Sequence, residues 1–387
     1  MKIFVTGIGI VTAIGLDAEE NLNSLESLTT GLSRSNSCDL MLGEVKLSNE
    51  ELIEQFQLPA EDYSRTSLLG LLAAKEAWVN NKIDKSIRTG IISSTSVGGM
   101  DRTEKYYFDA RNKGIANSSL MIHCNGRTTE RIAARLGISG YIGTVSTACS
   151  SGANAIMQGA RLIEGNKLDR VIAGGSEPLA NFDIKGFSSL GIYDSNICKP
   201  FDDDRMGLNL GEGAAFLVLE NEHSISMSDN KPICILAGWG NATDAFHQTA
   251  SSPDGKGAAL AMTHALAKSG ITAQKIDYVN AHGTGTGNND LSESMAFRSV
   301  FEDNMPVFSS TKGFTGHTLA AAGAIEAVYC VQSIQRQAVL PNLNFTTPMK
   351  ETGMKPGTSF QRASIEYVLS NSFGFGGNCT CLIFQKA

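Results

Sequence analysis

Short runs of β-branched and aliphatic residues alternate along the chain with longer stretches whose apolar positions recur every three to four residues. The runs Ile3–Val5, Thr89–Ser93, Arg170–Ala173, Ala214–Leu219 and Ile276–Asn280 predict strands. The stretches Ser67–Asn80, Thr128–Leu136, Ser150–Glu164, Gly257–Ser269 and Thr318–Ser333 predict helices. Their mixture predicts an α/β fold. The segment from Ile3 to Leu16 is mostly apolar but is broken by Thr6, Gly7, Gly9, Thr12 and Gly15. With Lys2 as its one preceding basic residue, it reads as a buried strand and turn rather than a secretory leader. No other stretch reaches the roughly 18 apolar residues of a membrane span.

The polar segment Asn221–Lys231, ending at Pro232, is the best linker candidate, dividing the chain into halves at 1–230 and 231–387. The halves echo one another. Residues 144–155 around Cys149 read as strand, small-residue turn and Ala-rich helix, and residues 308–324 around Lys312 and His317 repeat that design. Residues 91–99 similarly echo residues 278–285, which contain His282. Each half therefore places chemistry-bearing residues where a strand ends and a helix begins.

The total of 387 residues accommodates two such units. A net charge of −7 argues against a general nucleic-acid binder. The eight cysteines form neither a CxxC pair nor a zinc-ligand ladder, so reduced thiols in a cytoplasmic protein are expected. The Gly-rich segments match neither the phosphate loop nor the dinucleotide fingerprint.

The candidate chemistry is that of thioesters. Cys149 follows a predicted strand and opens a predicted helix, whose first N–H groups would favour a thiolate. Ala148, Ser150, Ser151 and Gly152 leave room beside it; the same context also suits an inert buried thiol. His282 follows another strand, with Thr284 and Thr286 alternating after it. Lys312 and His317 lie five apart on a Gly-rich turn, with Glu326 beyond as an acidic partner for Lys312. The turn at residues 371–377 offers free backbone N–H groups suited to an oxyanion.

On these residues the chain resembles the β-ketoacyl-carrier-protein synthases of the elongating type II group. The likeness runs nearly end to end through VTGIGIVTAIG, TACSSGANAI, KPFDDDRMGLNLGEGAAFLVLE, DAFHQT, AHGTGTGNND, STKGFTGHTLAAAGAIEA and NSFGFGG. It implies a five-layer αβαβα thiolase-like fold built from two pseudo-repeated halves. Cys149 would be the nucleophile, His282 and His317 the active-site histidines, and Lys312 a supporting cation paired with Glu326. Phe375 would be a gate, its N–H joining that of Cys149 in an oxyanion hole. Thr249, Thr284 and Thr286 would contact a pantetheine arm, and Val97 the acyl pocket. Asp290 and Glu293 would be structural acids behind the histidine loop.

The resemblance also implies decarboxylative condensation of malonyl-carrier protein with an acyl group on Cys149. No cofactor or metal is expected, because substrates would ride on the carrier protein's phosphopantetheine. Acyl- and malonyl-loaded carrier proteins would be the partners, with neither nucleic acid nor membrane. A homodimer is expected, with a heterodimer of homologous subunits the alternative. Arg127, Arg131, Lys199 and Arg205 are candidate docking cations for an acidic carrier. The chain departs from the family at Asn378-Cys379, where Thr-Asn usually follows GFGG, and at Ala250, where Ser is common. TACSSGANAI leans towards specialised pathways such as aryl polyenes. A chain-length-factor subunit would lack the nucleophile, a CoA-dependent thiolase or chalcone-type synthase would lack the Lys312–His317 motif, and a scaffold would be indifferent to Cys149.

Overall fold

The computed structural model describes residues 1–36, 38–59, 63–78, 84, 86–114 and 118–387. Its main sheet contains β1 (Phe4–Val11), β2 (Thr89–Ser94), β3 (Tyr141–Val145), β4 (Arg170–Glu177), β5 (Gly213–Glu220), β6 (Cys234–Thr243), β7 (Tyr278–Asn280), β8 (Val307–Ser309), β9 (Tyr367–Gly374) and β10 (Asn378–Lys386). The spatial order is β8-β7-β9-β10-β6-β1-β5-β4-β2-β3. Each half runs through three parallel strands and then two antiparallel ones. The halves join where β1 meets β6, through the pairs Phe4↔Ile235 and Val5↔Cys234.

The helices that concern the site are α1 (Arg65–Ala77), α2 (Met100–Lys113), α3 (Asn125–Leu136), α4 (Ser151–Glu164), α5 (Asn181–Ser189), α6 (Lys256–Ser269), α7 (Gly287–Phe301) and α8 (Ala322–Arg336). Side-chain alternation shows the layering. On β5, Ala215, Leu217 and Leu219 join the central core with α4 and α8, while Ala214, Phe216 and Val218 face α1 and α3. On β10, Leu382 and Phe384 face that central core, and Cys381 and Ile383 face α6 and α7. Helices, half-sheet, central helices, half-sheet and helices make the five-layer αβαβα fold. Burying each large aliphatic or aromatic side chain contributes roughly 2 kcal/mol. Because β5 is covered on both faces, its sequence reads as a continuous apolar run without polar alternation.

Local chemistry moves several boundaries. The expected start of α1 at Ser67 shifts to Arg65, because Ser64 accepts the Ser67 N–H while the Ser67 hydroxyl accepts the Ser64 N–H. The expected C-terminal residue Asn80 lies outside the described residues. The apolar opening is a strand as far as Val11, covered on both sides by β5 and β6. The linker candidate is helical in part: Asn221 caps a helical turn over Glu222–Ser226, and Ser224 is buried there. Among the described residues, no helix is long and apolar enough to cross a membrane.

Candidate active site

β3 leads to Cys149 through Ala148, a non-glycine residue with φ of 51°, and α4 begins two residues later. Such a left-handed residue costs about 1–3 kcal/mol and is held only by its surroundings. A polar network supplies that hold. Asn378 Oδ1 accepts from the Ser150 hydroxyl at 2.8 Å, Asn154 Nδ2 at 2.7 Å and Asn241 Nδ2 at 3.0 Å. Asn154 Nδ2 also donates to the Thr147 hydroxyl. The departure at Asn378 therefore places an amide acceptor under the nucleophile's turn. Helix α4 crosses α8 where glycines meet: a Cβ on Gly152 would lie 2.7 Å from the Ala324 nitrogen, and one on Gly323 2.8 Å from the Ala153 nitrogen.

The expectation of a stabilised thiolate is corrected at Cys149. Burial pushes its thiol up to about 12, against the opposing Lys312 charge and the Phe375 N–H. Desolvation outweighs the helix terminus because Cys149 is only 5 % exposed. At rest the sulfur is a neutral thiol.

His282 stands near the start of the loop after β7, and two buried carboxylates hold that loop. Glu293 accepts from the N–H groups of His282 and Gly283, and Asp290 from those of Thr284 and Gly285. Lys312 Nζ is in contact with the Glu326 carboxylate and the His282 carbonyl, and lies 3.4 Å from His282 Nδ1. An ammonium only donates, so Nδ1 is the acceptor and the imidazole proton sits on Nε2. Burial first, and the Lys312 charge second, push both His282 and His317 well below the usual imidazole range. The two rings meet edge to face with centroids 5.3 Å apart. Burial lifts Glu326 to about 7, and the touching Lys312 ammonium works against that rise.

Cys149, His282 and His317 line one cavity of about 160 Å³ together with Thr249, Ala250, Thr284, Thr286 and Phe375. Thr249 is exposed at its mouth, and the hydroxyls of Thr284 and Thr286 lie 2.9 Å apart deeper in. The Phe375 ring stacks on Phe187 of α5 at 5.6 Å. Val97 does not line this cavity. Its N–H donates to the buried Glu177 carboxylate at 3.2 Å, which fixes the loop after β2.

The docking candidates separate. Arg205 donates to the carbonyls of Thr286 and Gly287, both cavity residues, and so borders the mouth. Lys199 is half-buried on the segment leading to it. On α3, Arg127 pairs with Glu130 and Arg131 lies over the Tyr63 ring; neither lines the cavity. Residue reasoning passed over His247, Asp244, Phe187 and Ile192, which line it too. His247 and Asp244 lie within DAFHQT, a signal present in the sequence. Phe187 and Ile192 carried no pattern distinguishing them from core. Among the described residues, no cluster of His, Cys, Asp and Glu could hold a metal ion.

Comparison with known proteins converges on this geometry. Residues 1–224 match the family model described as the β-ketoacyl synthase N-terminal domain, and residues 233–346 that of its C-terminal domain. The 3-oxoacyl-[acyl-carrier-protein] synthase 2 of Staphylococcus aureus is 31% identical, covering 100% of this chain and 98% of its own. The ishigamide ketosynthase/chain length factor superposes with a TM-score of 0.92 at 26% identity, over 100% of this chain and 99% of that one. The ketosynthase ApeO, in complex with its chain length factor ApeC from Xenorhabdus doucetiae, gives 0.86 at 32% identity, over 100% and 98%. A thiol, two neutral imidazoles and a buried lysine–glutamate pair thus sit on the fold of these enzymes, and the chain belongs to the β-ketoacyl synthase family of acyl-transferring condensing enzymes.

Proposed function

We propose that this chain condenses a Cys149-bound acyl group with malonyl-acyl carrier protein. The observation that carries the reading is the meeting of Cys149, His282 and His317 in one cavity, with Lys312 buried behind His282. In the first half-reaction the Cys149 sulfur attacks the acyl thioester of the carrier. The carrier's thiol leaves with the proton that Cys149 loses. In the second, the malonyl group loses CO2 and its enolate carbon attacks the Cys149 thioester. The enolate oxygen would accept from Nε2–H of His282 and from His317, and such donors contribute about 3 kcal/mol each. Neutral rings suffice for this role, since each keeps one N–H donor. The tetrahedral oxyanion would face the N–H groups of Phe375 and Cys149, after which the Cys149 sulfur leaves and regains a proton.

Carrier protein as partner is supported by the name of the Staphylococcus aureus relative and by Arg205 at the cavity mouth. A second subunit is supported by the edge strand β3, where Tyr141 and Ile142 are more than 40% exposed, and by α2, which buries none of its residues and exposes Tyr107 and Phe108. Two of the similar solved structures are ketosynthases named together with a chain length factor. A homologous second subunit is therefore the reading for this edge, and native mass spectrometry of the purified chain distinguishes a homodimer from a monomer awaiting another chain. The mechanism is tested by mass spectrometry of the Cys149 peptide after incubation with a panel of acyl carrier proteins. An acyl adduct on Cys149 that malonyl carrier protein discharges as a β-ketoacyl product is expected. Absence of any adduct with every donor overturns the reading.

A further inference from the structure

Cys149 belongs to an apolar cluster with Leu42, Ile184, Leu208, Leu210 and Leu319. An acyl group on its sulfur would enter these side chains. Among the described residues, Asp183 Oδ2 and the Tyr193 hydroxyl in this neighbourhood have no hydrogen-bond partner, and both are shut off from solvent. Asp183 is 6 % exposed overall. It lies four residues before Phe187 on α5, so both share one helix face, and Phe187 lines the cavity and stacks on the Phe375 gate. Ile184, next to Asp183, is itself in the Cys149 cluster. Tyr193 packs against the same cluster, follows the cavity residue Ile192, and bridges through its backbone to the cavity residue Leu208.

The Asp183 charge acts on Tyr193 and on Glu177, and that of Glu177 acts on Cys149. Glu177 is already engaged by the N–H groups of Ser96 and Val97. Asp183 Oδ2 and the Tyr193 hydroxyl are not so engaged among the described residues, and buried polar groups are normally paired. A saturated hydrocarbon chain would leave both unsatisfied. An acyl group bearing an oxygen would meet both, because a carboxyl and a phenol can each donate and accept.

Resting on the condensation reading, we infer that the apolar surroundings of Cys149 select acyl groups carrying a hydroxyl or carbonyl oxygen beyond the thioester, with Asp183 and Tyr193 as the specificity-determining pair. The test is the second-order rate of Cys149 acylation, followed by intact-protein mass spectrometry. The donors are carrier proteins loaded with a straight saturated acyl group or its hydroxyl- or keto-bearing counterpart of equal length. The native chain is expected to react about tenfold or more faster with the oxygenated member of a pair, the discrimination that an unmade buried hydrogen bond gives. Asp183→Leu should reverse that order, and Tyr193→Phe should weaken it. Asp183→Asn, nearly isosteric, should retain a preference, which keeps the test decisive if the Leu variant does not fold. Equal rates for both members in the native chain, or a preference unchanged in Tyr193→Phe and Asp183→Leu, overturns the inference. Acylation by no donor at all overturns instead the condensation reading beneath it.

Discussion

The two halves of the molecule turn from strand to central helix through the same elbow, yet only one elbow carries a nucleophile. Ala148 has φ of 51° and Leu319 φ of 47°; Cys149 follows the first and Ala320 the second. Three residues further on, Gly152 and Gly323 mark the crossing of α4 and α8. Around this shared frame the support differs in kind. Under Cys149 lies a neutral network of Asn378, Asn154, Ser150 and Thr147. On either side of Ala320 in the chain stand the partners of a buried ion pair, Lys312 and Glu326. A buried thiol tolerates amides and hydroxyls around it, whereas a fixed cation in the same core requires its own anion. One half thus supplies the reactive atom and the other the field in which it works.

Removing the asymmetry has the largest effect. Cys149→Ala gives both elbows alanine, and condensation should fall by roughly 10⁴-fold or more, as for loss of other catalytic nucleophiles. Adding Ala320→Cys to that variant sharpens the point. Ala320 is fully buried and its carbonyl accepts from Ser94, so no acyl adduct should form there. An adduct at position 320 would show that the elbow alone makes a nucleophile.

Next comes the ionic cluster. Glu326→Leu leaves the Lys312 ammonium buried without its carboxylate, at a cost of about 3–5 kcal/mol in denaturant unfolding. Lys312→Met combined with Glu326→Leu should recover much of that loss, since a buried ion pair is weak evidence for net stability. A double variant no better than the single would show that Lys312 is not the stranded charge.

His282→Ala separates the half-reactions. Condensation should fall about 10²–10³-fold through loss of an oxyanion donor, while the acyl adduct on Cys149 still accumulates. The pH dependence follows from the same burial. Both imidazoles are held below the usual range, so they stay neutral as pH falls from 7.5 to 6. Malonyl decarboxylation should show no inflection near 6.5; one found there and lost in His282→Ala would mean that this ring titrates as if exposed.

Much of this contrast is legible in sequence. The elements carrying Cys149, His282, Lys312 and His317 are marked by β-branched runs that stop at small residues. The echo between residues 144–155 and 308–324 corresponds to the two elbows. What escaped reading is long-range. Both faces of β9 and β10 are buried, so their polar residues Ser370, Asn371, Ser372 and Thr380 mark no solvent face. The rise in the Cys149 pKa depends on desolvation by chain segments from Leu42 to Phe375, and no local pattern reports it. The place of Val97 is set by Glu177, eighty residues away.

The smallest predicted effect concerns Asn378, whose role is likewise invisible until β10 meets α4. Its Oδ1 gathers donors from Ser150, Asn154 and Asn241. Asn378→Ala removes the acceptor and strands buried amides, while Asn154 and Asn241 remain hydrogen-bonded to each other at 3.1 Å. The cost should therefore stay near 1–3 kcal/mol rather than summing over three lost bonds. Asn378→Asp keeps an acceptor and should lose less at neutral pH, although its new charge lies near a thiol that must give up a proton. Acylation of Cys149 should thus slow more in Asn378→Asp than in Asn378→Ala, while unfolding ranks them the other way. Parallel losses in both measurements would mean that the network only holds the chain together, and that the elbow's neutral support is not tuned to the thiol it carries.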